Sequence, residues 1–282
     1  MALLPVHDQN PTHRRAWVTW TLLATNVVVF LLSPLATLPL GGGPSLAETC
    51  DTLAFLDRWA AVPAEVVTGE GPDVAVTGDP VPGGCVVGPV GWEKSVPLSV
   101  LTAMFLHGGW AHLAGNMLFL AVFGNNVEDR LGRLRFLLFY LACGYAATYG
   151  FALAFAESTE NLVGASGAVA GVLGAYLVLF PRARVLTLVT FFFFLPLRLP
   201  AWVVLGSWFV LQYLFAAGAG LVADAQVAYL AHVVGFVAGA VLVLLLARRP
   251  PRQPAGPPVP QPYGGPGYGW GPPPPGRPPR GW

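Results

Sequence analysis

Long apolar stretches, separated by short polar or basic connections, occupy most of the chain up to residue 247. Six of them have roughly 16 to 26 residues, about the length that a helix needs to cross ~30 Å of hydrocarbon. They are Ala16–Leu38, Leu98–Phe123, Phe136–Phe155, Leu162–Phe180, Pro200–Phe215 and Ala228–Ala247. The pattern predicts an all-α fold, with a polytopic membrane domain of six transmembrane helices over residues 16–247.

A shorter apolar stretch, Val185–Leu195, contains four consecutive phenylalanines between Arg184 and Pro196. It has about eleven residues, which is too short for a transmembrane helix. We therefore expect an interfacial or half-inserted segment.

Three less apolar regions flank or interrupt the membrane domain. Residues 1–15 form a short N-terminal segment, and residues 41–97 form a loop rich in Gly, Pro, Val and acidic residues. This loop could be a lid, a docking surface for substrate or a tether, and Val81–Gly84 is expected to form a turn. Residues 248–282 contain half of all the prolines and predict a disordered tail.

The charge distribution predicts the orientation in the membrane. Hydrophobic residues make up 55% of the chain and charged residues 10%, unlike an average soluble domain. With the N-terminus in the cytoplasm, only Arg58 and Lys94 of the 15 basic residues lie outside. Both termini are then cytoplasmic, and the first helix is expected to stay uncleaved. Because no transit-peptide pattern precedes that helix, we expect a multi-pass protein of a bacterial plasma membrane.

Two of the three cysteines, Cys50 and Cys85, lie in the outer loop. Because disulfides persist outside the cytoplasm, this pair is a disulfide candidate, and two unrelated thiols are the alternative. Cys143 lies in the third apolar stretch and is expected to pack there. No ligand spacing suggests a metal, and we expect no cofactor.

Ser166 and His232 are the candidates for nucleophile and base. Each lies near the start of an apolar stretch that runs inward, so both are expected at one depth near the outer face. Gly167, Gly171 and Gly174 form a smooth stripe after the serine, and Gly235 and Gly239 follow the histidine on one helix face. Helices with small-residue faces can approach closely, which would bring the hydroxyl to the imidazole.

His112 and Asn116 are candidate donors to an oxyanion. Their spacing of four residues stacks them on one helix face, at the same expected depth as Ser166. His107 is predicted to lie on the same helix, about 140° away from His112, and to organise the helix entry. Taken singly, the serine could be a packing residue and the others interhelical hydrogen-bonding groups. Ionisable residues inside membrane helices are costly, however, and favour a functional interpretation.

These residues form motifs that strongly resemble the rhomboid family of intramembrane serine proteases. The motifs are His107-Gly-Gly-Trp-Ala-His112-Leu-Ala-Gly-Asn116, Gly164-Ala-Ser166-Gly167, Ala231-His232-Val-Val-Gly235 and the turn Glu128-Asp-Arg130-Leu-Gly132. The resemblance covers roughly residues 16 to 247. It implies a six-helix bundle with a water-filled cavity, in which Ser166 is the nucleophile and His232 the general base.

The resemblance also implies roles for the neighbouring residues. His112, Asn116 and the Ser166 amide would hold the oxyanion, and His107 would be a structural member of the motif. The fifth helix and the loop Gly218–Val227 would form the gate and cap for substrate. Some members have an aromatic residue four positions after the serine; here that position is Ala170, so His232 must be supported from elsewhere. Gly115, the residue before Asn116, is small and leaves more space on the side of the gate. The loop that contains Cys50 and Cys85 is not a general feature of the family.

The expected function is therefore intramembrane endopeptidase activity through a Ser-His dyad. Its expected partners are transmembrane protein substrates and the lipid bilayer, with no nucleic acid, and the oligomeric state stays open. One alternative is a non-catalytic rhomboid-like protein that binds transmembrane helices. Another alternative is a transporter or channel. The sequence shows no inverted repeat, and its polar residues cluster toward one face rather than at the midplane, which argues against this alternative.

Overall fold

The computed structural model describes residues 2–37, 44–190, 194–218 and 228–247. The helices are α1 Trp17–Leu32, α2 Leu46–Trp59, α3 Pro63–Thr68, α4 Val96–Ala103, α5 Trp110–Leu131, α6 Arg133–Ala154, α7 Ser166–Leu179, α8 Ala201–Ala216 and α9 Tyr229–Leu246. The strands are β1 Ala2–Asp8, β2 Val74–Val81, β3 Gly84–Pro89, β4 Arg184–Thr190 and β5 Phe194–Pro200. The tail that was predicted to be disordered, residues 248–282, lies outside the described residues, as do residues 219–227 of the predicted cap.

The long apolar stretches form helices. Two of these helices, α6 and α9, are long and apolar enough to cross a membrane, whereas α1, α7 and α8 are apolar but have 10–17 residues. Residues 167–176 of α7 are all buried, so this helix is surrounded by its neighbours. The count of six membrane crossings stays a prediction.

The boundaries predicted for the second apolar stretch were wrong. The chain forms two helices there, α4 and α5, joined by a connection that contains Gly108 and Gly109. Glycine disfavours a helix interior, which accounts for the interruption. The second helix, α5, runs beyond the predicted end at Phe123 to Leu131, and Gly132 follows it with a φ of 82°, which glycine adopts readily.

Glu128 begins the motif that was expected to form a turn, but it lies in the last turn of α5. Its side chain is 2% exposed. Its carboxylate accepts hydrogen bonds from the Thr19 hydroxyl and from the backbone N–H groups of Val18 and Thr19. The start of α1 is thereby fixed to the end of α5, which anchors α1 beside the helix that carries His112 and Asn116.

Two small sheets correct the all-α prediction. The segment Val185–Leu195 was expected at the membrane interface; its residues 185–190 and 194–195 belong to an antiparallel sheet in the order β1-β4-β5, and residues 191–193 lie outside the described residues. Its Val, Leu and Thr residues favour a strand, and each strand pairs with a neighbour. The other sheet is the hairpin β2-β3, in which Val81 pairs with Gly84, and this confirms the predicted turn.

Asp8, at the end of β1, links this strand to the helices. Its carboxylate is 5% exposed and accepts hydrogen bonds from the Tyr176 hydroxyl and the Asn126 amide, each at 2.6 Å. Burial raises the pKa of the Asp8 carboxyl, although the hydrogen bond from Tyr176 acts in the opposite direction. Tyr176 belongs to α7, so the N-terminal strand braces the end of α7 opposite Ser166.

The region 44–95 is more structured than the weakly patterned loop predicted from sequence. Ser45 and Glu48 form a reciprocal cap at the start of α2, and a disulfide joins Cys50 to Cys85. Ala61 makes two backbone hydrogen bonds with Leu162, four residues before Ser166. The region therefore braces the chain that leads into α7.

Candidate active site

Ser166 is the first residue of α7. The chain reaches it through Leu162, held by Ala61, and Gly164, whose N–H donates to the Ala103 carbonyl at 2.9 Å. Gly164 has a φ of +127°, a conformation that L side chains rarely adopt. The serine is therefore placed by a fixed backbone at a helix N-terminus, where N–H groups lack intrahelical acceptors.

His232, in the first turn of α9, contacts the serine directly. Its Nε2 lies 2.8 Å from Ser166 Oγ, and its Nδ1 lies 2.6 Å from Gln212 Oε1. When the serine hydroxyl donates to Nε2, the neutral ring carries its hydrogen on Nδ1 and donates it to the amide oxygen of Gln212. Both contacts therefore agree with a single neutral tautomer, in which Nε2 can accept the serine proton.

Glycines set the short distance between the two helices. A Cβ added at Gly235 would overlap the Gly167 carbonyl, and a Cβ added at Gly239 would overlap the Gly171 carbonyl. The small-residue faces predicted from sequence thus lie against each other. Without side chains at the crossing, α7 and α9 approach closely enough for Ser166 and His232 to form a hydrogen bond.

His112 lies on the other side of Gly164. A Cβ added at Gly164 would lie 2.8 Å from His112 Nε2 and 3.5 Å from Ser166 Oγ, so both groups border the same small space. The opposite ring nitrogen, Nδ1, can accept from the Gly108 N–H at 3.4 Å. In that tautomer Nε2 carries a hydrogen and can donate toward the serine.

Asn116 lies one turn further along α5 and is 7% exposed. Its Nδ2 donates to the His112 carbonyl at 3.1 Å, which uses one of the two amide hydrogens. The second amide hydrogen is available to another acceptor. Beside it, a Cβ added at Gly115 would meet nothing within 4 Å, so the chain leaves open space on this side.

The prediction that His107 lies on the helix of His112 was wrong. His107 precedes α5 in the connection from α4, so the angle of 140° does not apply. The His107 side chain is 0% exposed, and its ring packs edge-on against that of His112 with centroids 5.2 Å apart. It therefore contacts the His112 ring, although it was expected to lie on a different face of the same helix.

Sequence reasoning missed Gln212 and Trp208, both on α8. Ala170 is buried, 1% exposed, and offers His232 no ring. The Trp208 ring instead lies 6.0 Å from that of His232, and Gln212 follows one helical turn later. The sequence does contain a pattern that could have indicated this support: a single glutamine among the apolar residues of α8, four positions after a tryptophan and so on the same helix face.

No cluster of three metal-ligating side chains occurs in the described part of the chain. A cavity of about 420 Å³ is lined by Arg14, Arg15, Trp17 and neighbouring residues of α1 and α5. None of the candidate catalytic residues borders it. The site brings together a hydroxyl, an imidazole and hydrogen-bond donors.

Comparison with known proteins identifies similar sequences. The family model described as Rhomboid domain matches residues 94–249, which include Ser166, His232, His112 and Asn116. RHOMBOID-like protein 6, mitochondrial, of Arabidopsis thaliana is 30% identical over 177 residues, covering 59% of this chain and 52% of that protein. RHOMBOID-like protein 5 of the same plant is 27% identical over 167 residues, covering 57% and 50%. Rhomboid protease GluP of Bacillus subtilis is 47% identical over 78 residues, covering 28% and 15%. The chain spans about half the length of the two plant proteins.

Proposed function

Because this chain belongs to the rhomboid family of helical, polytopic membrane proteins, we propose that it is an intramembrane serine endopeptidase with Ser166 and His232 as its catalytic dyad. The observation that carries the proposal is the 2.8 Å contact between His232 Nε2 and Ser166 Oγ. Membership of the family supports the reaction class, and the hydrogen bond between Ser166 and His232 supports their roles as nucleophile and base.

The reaction follows from the atoms around the dyad. Ser166 Oγ attacks the scissile carbonyl while His232 Nε2 takes its proton. The oxyanion is held by His112, by Asn116 and by the Ser166 N–H at the start of α7. His232 then gives the proton to the leaving amine, and water hydrolyses the acyl-enzyme.

The substrates would be transmembrane segments of other membrane proteins. We place residues 16–247 in the plasma membrane as six helices, with residues 1–15 and 248–282 in the cytoplasm. The dyad then lies near the outer face, where water is available. A helical substrate must unwind before its carbonyls can be attacked, so Gly or Pro near the outer end should favour cleavage.

The proposal is tested with the purified full-length protein in lipid vesicles and two transmembrane reporters. The reporters differ only at two outer positions, which are glycine in one and leucine in the other. The two leucines stabilise the helix by about 1.5 kcal/mol, so cleavage should be roughly tenfold slower. Mass spectrometry of the products locates the cut and gives both rates.

Cleavage of the glycine reporter within its apolar segment is the expected result. Binding of both reporters without cleavage of either would contradict the proposal and favour a non-catalytic protein that binds transmembrane helices. Equal cleavage rates would contradict the requirement for substrate unwinding.

A further inference from the structure

His232 is held on two sides. Its Nε2 contacts Ser166 on α7, and its Nδ1 contacts Gln212 on α8. We infer that Gln212 is a positioning residue that fixes the tautomer and the ring orientation of His232. This inference rests on the proposed function, because it assigns Gln212 a role in that dyad.

The burial of Gln212 supports this role. The residue is 8% exposed and lies on a helix composed almost wholly of apolar residues. A buried amide without a hydrogen-bond partner would be destabilising, and His232 Nδ1 supplies a partner at 2.6 Å. The bond therefore satisfies the buried amide oxygen of Gln212 and also selects the tautomer that leaves Nε2 free to act as a base.

Trp208 completes the support one turn earlier on α8. Its ring lies at 32° to that of His232, with centroids 6.0 Å apart, and so limits rotation of the imidazole. Phe209 packs on Phe236 of α9 with centroids 4.7 Å apart, which holds the two helices together. The aromatic contact that Ala170 cannot provide from α7 thus comes from α8.

An amide suits this position for a physical reason. A carboxylate facing Nδ1 would also accept its hydrogen, but it would bring a charge into an apolar surrounding at a large desolvation cost. Gln212 orients the ring while the resting dyad stays neutral. Among the residues that the structure describes, the titratable groups that face His232 are His112 on α5 and Tyr229 on α9.

Kinetics of three variants of the full-length protein in vesicles test the inference. Gln212→Met keeps the shape and removes the acceptor, whereas Gln212→Glu keeps an acceptor oxygen at the same reach. Leu211→Met is the matched control, because Leu211 is 44% exposed on the same helix. We expect Gln212→Met to lower kcat by about 10- to 100-fold at a nearly unchanged KM, as for other residues that orient a catalytic group.

The remaining outcomes are equally definite. Gln212→Glu should recover most of the lost kcat, because it keeps the acceptor oxygen, while the desolvation of its charge should lower the free energy of unfolding. Leu211→Met should match the wild type. Equal kcat values for Gln212→Met and Leu211→Met would overturn the inference, and so would equal losses in the Met and Glu variants. A wild type that cleaves no reporter would instead refute the proposed function.

A spectroscopic measurement keeps the inference testable even if a variant does not fold. In protein labelled with ¹⁵N-histidine, the wild type and Ser166→Ala should both show His232 with its hydrogen on Nδ1, in a hydrogen bond. A wild-type His232 with its hydrogen on Nε2 would overturn the assignment of Gln212 without reference to activity.

Discussion

Replacing Ser166 with alanine should lower kcat/KM for a transmembrane reporter by about 1,000-fold or more. The change removes the atom that attacks the carbonyl and leaves His232 without a proton to accept. The oxyanion donors alone cannot form an acyl-enzyme, so only slow attack by water would remain. The rate is measured with purified protein in vesicles.

Ser207→Ala is the matched control for this experiment. Ser207 is exposed on α8, and its hydroxyl donates to the Val204 carbonyl of its own helix at 3.1 Å. It has no contact with His232 and should be replaceable without loss of rate. Persistent cleavage by Ser166→Ala would mean that another group carries the reaction.

Replacing Gly235 with alanine should affect both stability and activity. The new Cβ would overlap the backbone carbonyl of Gly167, which cannot turn aside as a flexible side chain can. We expect overpacking to lower the free energy of unfolding by about 1–3 kcal/mol. Separation of α9 from α7 by even ~1 Å should also slow cleavage by about 100-fold, because it lengthens the contact between Ser166 and His232.

Gly206→Ala provides the comparison for this prediction. A Cβ added at Gly206, on α8, would meet nothing within 4 Å. Because alanine favours a helix, this variant should be as stable as the wild type or more stable by ~0.5–1 kcal/mol. Thermal denaturation in detergent gives the unfolding midpoint of each variant. Equal midpoints for Gly235→Ala and Gly206→Ala would contradict the claim that overlap at the close helix crossing destabilises the Gly235 variant.

Local periodicity explains why the sequence predicted the contact between Ser166 and His232. Both residues begin apolar helices, and glycines at three- and four-residue spacing follow each of them, so the side that packs could be identified from the sequence. His112 and Asn116 were predictable for the same reason, since four residues make one helical turn. These inferences needed only the geometry of single helices.

The features that were missed depend on contacts between distant segments. The pairing of β1 with β4 joins residues far apart in the chain, and no local pattern specifies it. The burial of Glu128 depends on donors from α1, and charged residues otherwise indicate a surface. The support of His232 by Gln212 required knowing which face of α8 lies against α9.

Labelling of the full-length protein by a fluorophosphonate tests the catalytic dyad most directly. Ser166 Oγ should attack phosphorus and displace fluoride while His232 takes the proton, so the reaction requires both residues but no substrate. We expect one adduct, located by mass spectrometry at Ser166, and its loss in His232→Ala. The absence of an adduct, an adduct at another residue, or equal labelling of His232→Ala would contradict a Ser166–His232 dyad.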